Sequence, residues 1–120
     1  MGLNVALDVD GDPADGFAWW GANSAFKFDQ LVTVWCFRVA DGCEGFIGLA
    51  DADQVASGTY VAGGGRSLRF AIDRGRRAFV VGIPRDSLRL KNGDLRLVAA
   101  VGSALLFNDD VPGQGAATLR

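Results

Sequence analysis

The chain of 120 residues has no histidine, and its one methionine is Met1. Without imidazole there is no Ser-His or Cys-His nucleophile pair, no His-bearing catalytic zinc site and no His-ligated haem. A Met-ligated haem would have only Met1 to draw on, so no haem is expected. Glutamate is almost missing too. Glycoside hydrolysis needs two carboxyl groups flanking the scissile bond, and Glu44, the only glutamate, sits beside an expected hairpin turn. The expectation is a protein that does not catalyse. Long apolar runs are also lacking: the longest are about five or six residues, against the roughly 20 that a membrane helix needs, so no membrane partner is expected. Gly2 to Asp10 alternates like a strand and lacks the basic start of a secretory signal. Met1 could equally open a mature or truncated chain, which leaves the compartment open.

What is present describes one globular domain spanning residues 1–120. Hydrophobic residues make up 49% and charged residues 22%, outside the range of disordered chains. A net charge of −2 argues against nucleic acid as a partner. The signs are segregated, however. Asp8, Asp10, Asp12 and Asp15 crowd one N-terminal loop, while Arg66, Arg69, Arg74, Arg76 and Arg77 crowd a later hairpin. Arginine over lysine, aspartate over glutamate and many Gly and Ala are also what a GC-rich coding sequence gives, and a solvated hairpin is the default for the arginines.

Period-2 patterning dominates the chain. Leu3, Val5, Leu7 and Val9 alternate with Asn4, Ala6, Asp8 and Asp10, giving a strand with one buried face that ends at Gly11-Asp12-Pro13. A loop to Asn23 follows, then a short strand over residues 24–29. Leu31 to Val39 and Phe46 to Ala50 form a hairpin whose turn is expected at Asp41-Gly42. That register would set Cys36 opposite Ile47 and separate the two cysteines by roughly 10 Å, at ~3.3 Å per residue, too far for a disulfide. Two free thiols are expected. A polar stretch from Asp51 to Ser57 reads as a loop or one helical turn, and Gly63 to Gly65 as a hairpin tip. Leu68, Phe70 and Ile72, then Phe79, Val81 and Ile83, form two more strands, turned at Arg74-Gly75 and stopped at Pro84. After a helical turn over Asp86 to Leu90, Leu95 to Val101 is the last long alternating set; Asn108 to Gly115 reads as a loop and Ala116 to Leu119 as a final strand. Seven or eight short strands without a long helix predict an all-β fold. An antiparallel β-sandwich of jelly-roll or immunoglobulin-like kind is favoured, with a β-barrel as the alternative.

Two segments resemble a known group. Val5-Ala-Leu-Asp-Val-Asp-Gly-Asp-Pro-Ala-Asp-Gly16, with Gly21-Ala-Asn23 after it, and Val81-Gly-Ile-Pro-Arg-Asp-Ser-Leu88, with Asn108-Asp-Asp-Val-Pro-Gly-Gln-Gly115 after it, resemble the DOMON-like and family 9 carbohydrate-binding-module-like β-sandwiches. That resemblance implies extracellular carbohydrate recognition. Asn23 stands where the group usually has an acid. The group's N-terminal strands, which normally precede the one matching Leu3 to Val9, are absent, so an exposed edge and a homo-oligomer are expected.

Two constellations could serve a ligand. Asp8, Asp10 and Asp12 share one face of an extended chain, and with Asp109 and Asp110 from the late loop they could supply the hard oxygens calcium takes. The competing reading has Asp8 and Asp10 on the solvent face of their strand and Asp12 making turn hydrogen bonds. An EF-hand is ruled out, because Pro13 stands where its glycine is required. Trp19 and Trp20, adjacent and pointing opposite ways if extended, place one ring in the core and one outside, where it could stack on a sugar; Asn23 and Tyr60 complete the expected ligand set. The plainer alternative is that both indoles plug the end of the sandwich. A self-associating structural domain or a small-molecule binder are the alternative functions.

Overall fold

The computed structural model describes residues 2–39, 42–58, 66–91, 94–103 and 106–119; the side chains at 36–39, 42–46, 66–67, 70, 79, 103 and 106–109 are outside the description. Tyr60 therefore lies outside the described residues, as do the side chains of Asp109, Cys36 and Cys43.

The elements are β1 (Gly2–Asp8), β2 (Phe17–Ala18), β3 (Lys27–Phe28), β4 (Gln30–Val39), β5 (Gly42–Asp51), α1 (Ala52–Ala56), β6 (Arg66–Ser67), β7 (Arg69–Asp73), β8 (Ala78–Gly82), β9 (Leu95–Ser103), β10 (Leu106–Val111) and β11 (Ala117–Leu119), with a 3-10 turn at Arg85–Ser87. The main sheet runs β10-β9-β1-β4-β5-β6, with β11 also on β9; β2-β3 and β7-β8 are separate two-stranded ribbons. The pairings are antiparallel. The fold is all-β, and the sheet ends at β10 and β6 without closing into a barrel.

Alternation along β1 explains what covers each face. Leu7 and Val9 join Val32, Val34 and Leu49 on one side, roofed by Leu68, Val81 and Ile83 of the β7-β8 region and by Leu88 and Leu90. Ala6 joins Leu31, Val98 and Ala100 on the other, roofed by Trp19, Phe26 and Phe28, with Ala52 and Val55 of α1 packed alongside. The arrangement is sandwich-like, with the small β7-β8 sheet and an aromatic loop covering opposite faces. Trp19 and Phe28 are fully buried, and each such aromatic contributes about 4–6 kcal/mol of burial before the entropy of ordering it.

Several expectations change. The polar set on β1 was expected to face solvent, yet Asn4, Ala6 and Asp8 are buried, with the aromatic loop packed over Ala6. The first strand is no exposed edge: it lies between β9 and β4, hydrogen-bonded on both sides. Residues 106–111, of which 108–111 read as loop, pair with β9 through a register shift between Phe107 and Asp109. The β4-β5 register is offset by two from the expected one, with Val39 opposite Gly42 and Cys36 opposite Gly45. The two cysteine positions thus sit on a diagonal of roughly 7–8 Å.

Candidate functional site

Where β1 ends, the chain bends through Val9 and Asp10, and carboxylates from neighbouring segments converge. Asp8, 3% exposed, accepts from Arg96 Nη1 on β9 at 2.9 Å and from the Gly11 backbone N–H at 2.7 Å. The Arg96 guanidinium also lies 5.9 Å from the centre of the Phe26 ring. Asp10 accepts from Lys91 Nζ at 2.6 Å and from the Asp12 backbone N–H at 3.0 Å. Asp29, just before β4, accepts from the Val9 N–H at 2.9 Å. One carboxylate oxygen of each of Asp8, Asp10 and Asp29 lies within 4.8 Å of the others.

This crowding shows in the acidities. Burial pushes the Asp29 carboxyl above its ordinary 3.8, the charges of Asp10, Asp15 and Asp8 push the same way, and the Val9 N–H opposes them. Asp10 moves down, because the Lys91 ammonium and the Asp12 N–H hold its ionised form, and Lys91 moves up for the same contact.

Beside the cluster opens a cleft of about 270 Å³ lined by Val9, Asp10, Asp15, Gly16, Asp29, Asp51, Ala52, Asp53, Arg89 and Lys91. Asp51 holds its wall together. It accepts from Arg89 Nη2 at 2.6 Å and from Gln30 Nε2 at 2.9 Å, and its backbone N–H donates to Gln54 Oε1 at 2.9 Å to start α1. Gln30 is fully buried and also donates to the Ser87 carbonyl at 3.1 Å, tying the 3-10 turn to β4. Asp15 and Asp53 are exposed and have no ion-pair partner among the described residues.

The expected site residues divide between two places. Asp110 does not join the Asp8 loop. Its Oδ2 accepts from Trp19 Nε1 at 2.9 Å and from the Asn23 N–H at 2.7 Å. Asn23 is 6% exposed, and its amide donates to the carbonyls of Gly115 at 2.7 Å and Pro112 at 3.2 Å. The Trp19 indole N–H, the Asn23 backbone N–H and the Asn23 side-chain NH2 thus all donate inside the fold. Gly21 lies against the same contact, and a Cβ there would fall on Trp19 Nε1 and the Asp110 carboxylate. The expected division of the indoles holds in one respect, with Trp19 2% and Trp20 46% exposed. They do not point apart, however; their rings stack at 4.7 Å because the segment is bent. Asp12 caps a turn at Ala14, 2.8 Å away, and takes no part in the cluster.

Asp8, Asp10 and Asp29 are the carboxylates that could hold a cation here, each offering one oxygen to the cluster. Calcium takes six to eight oxygens, whereas Arg96 and Lys91 already neutralise Asp8 and Asp10. Sequence reasoning missed Asp29, Asp51, Asp53, Arg89, Lys91 and Arg96. Asp51 with Gln54 three residues on is a readable helix-start signal; the others are assembled by cross-strand register, which leaves no local trace. Comparison with known families, curated proteins and solved structures finds no match.

Proposed function

We propose that this domain is a non-catalytic binding module for carbohydrate, acting outside the cell, with the ligand seated in the cleft between Asp10, Asp29 and α1. The cleft carries the reading. Carboxylate acceptors at Asp15, Asp29 and Asp53 face cationic donors at Arg89 and Lys91 around one small volume, which is the mixed hydrogen-bonding pattern that neighbouring hydroxyl groups require. Trp20, which does not line the cleft itself, is exposed and backed by Trp19 and Phe28, and offers a rigid apolar plate for a sugar's CH face. The short motifs shared with carbohydrate-binding sandwiches agree with this reading.

A glycan array followed by calorimetry tests it. Wild type should bind at least one glycan class, and the Asp15→Ala/Asp53→Ala variant should lose about tenfold or more in affinity, as two hydrogen bonds of roughly 1 kcal/mol each imply. Trp20→Ala should weaken the same glycan. An array without a hit, or a hit that neither variant affects, sinks the proposal.

A further inference from the structure

The segregated charges of the sequence reach different parts of the fold. Opposite the acidic cleft in character stands the β7-β8 hairpin, a two-stranded ribbon hydrogen-bonded to no other strand among the described residues. Its base, where Arg69 pairs with Gly82, continues through Ile83 and the 3-10 turn to Arg89 and Lys91 of the cleft. Its tip, residues 74–77, lies at the other end of five paired positions, roughly 17 Å away at ~3.3 Å per residue. Arg69, Arg74, Arg76 and Arg77 are all exposed on this ribbon. Arg76 pairs with Asp73 at 3.8 Å, while Arg74 and Arg77 have no acidic partner among the described residues. Arg77 also occupies a left-handed position, φ 52°, which favours glycine. Ile72 and Val80 add exposed apolar surface, 40% and 52% accessible. A basic ribbon tip with exposed Ile72 and Val80 beside it suits an acidic surface.

The acidic surface with matching features is on this same chain. Asp15 and Asp53 line the cleft with no ion-pair partner among the described residues, and the raised pKa of Asp29 reflects burial together with negative charge from Asp10, Asp15 and Asp8. Guanidinium groups meet carboxylates with two parallel hydrogen bonds, the strongest form such contacts take. We propose that the β7-β8 hairpin of one copy docks at the acidic cleft of a second copy, with Arg74 and Arg77 against Asp15 and Asp53. Cleft and hairpin tip are different surfaces, so the contact is head-to-tail and propagates beyond a dimer unless a ring closes. The cleft is that of the proposed sugar site, so glycan and hairpin compete for it.

Sedimentation of the purified full chain is the test. At low salt, about 20 mM, the average mass should rise with concentration above the 12.6 kDa monomer. It should return to monomer near 1 M salt, where the screening length falls to about 3 Å. Arg74→Ala/Arg77→Ala and Asp15→Ala/Asp53→Ala should each be monomeric alone. Mixed, they should form a one-to-one dimer and stop there, because each retains only one functional surface. A wild type that is monomeric at every concentration overturns the proposal, and so does association that salt leaves unchanged. A mixture that stays monomeric overturns it too, as does a monomeric wild type that captures a heparin oligosaccharide through the arginines. Failure of the sugar reading is separately visible, since Arg74→Ala/Arg77→Ala, freed of the competing hairpin, should bind glycan at least as tightly as wild type does.

Discussion

The indole of Trp19 donates to the carboxylate of Asp110 at 2.9 Å across 91 positions of sequence. That one acceptor also takes the Asn23 N–H at 2.7 Å, so the aromatic loop over the main sheet is pinned to β10 by a single side chain. Trp19, Phe26 and Phe28 roof one sheet face, and the pin therefore acts on the core as well as on a loop.

Asp110→Ala should cost on the order of 3 kcal/mol, because it strands two donors inside the fold. Asp110→Asn retains one acceptor oxygen and should lose about half as much. Urea unfolding followed by tryptophan fluorescence reads both. Equal losses would show that charge, rather than hydrogen bonding, holds the loop.

The adjacent tryptophans should separate cleanly by stability. Trp19→Ala should destabilise by about 3–5 kcal/mol, the usual cost of emptying a buried aromatic site. Trp20→Ala, at an exposed position, should cost about 1 kcal/mol or less. Thermal melts of the two variants check this, and similar losses would contradict the burial difference.

Asp8 is buried against Arg96. Arg96→Met leaves that carboxylate uncompensated and should cost about 3–5 kcal/mol, as broken buried pairs do. Asp8→Asn combined with Arg96→Met should recover much of the loss. A double-mutant cycle measures the coupling, and strictly additive losses would mean the pair is not energetically linked.

Asp29 makes stability fall with rising pH. Its folded-state value lies above the ordinary 3.8, so between those two values the folded chain holds more protons than the unfolded one. Stability from this group is intact below 3.8 and is lost as pH climbs through the raised value. Asp29→Asn should thus be more stable than wild type at pH 7, with the gap closing at strongly acidic pH. Asp10, moved down by Lys91, acts oppositely: its contribution is present at neutral pH and lost on acidification. Denaturant titrations from pH 3 to 7 test both signs.

Calcium should leave the melting temperature unchanged against an EDTA control, since Arg96 and Lys91 already occupy the charge of Asp8 and Asp10. A rise of several degrees with millimolar calcium would mean that Lys91, 68% exposed, yields its place to the ion.

Alternation by itself determined that this chain is built of strands. Leu3 to Val9, Phe79 to Ile83 and Leu95 to Val101 carry a period of two, Leu31 to Val39 is rich in β-branched and aromatic residues, and each lies in a strand over most of its length. Period 2 says which residues share a face; it cannot say whether one face or both will be buried. That depended on the segment carrying Trp19, Phe26 and Phe28, whose packing over the sheet no local pattern announces. With both faces covered, Asn4 and Asp8 are interior groups, and Asp8 must find Arg96.

The acidic loop was visible as Asp8, Asp10 and Asp12, with one face expected to meet Asp109 and Asp110. For Asp110, strand order decided otherwise. Placing β1 between β9 and β4 brings Arg96, Asp29 and, through the following segments, Asp51, Arg89 and Lys91 to the end of β1, while Asp110 meets Trp19. A carboxylate's identity is written in the sequence. Whether it faces an ammonium, an indole or an open cleft is set by which strands are neighbours, because hydrogen-bond partners lie a few ångströms apart in space and up to 91 positions apart along the chain.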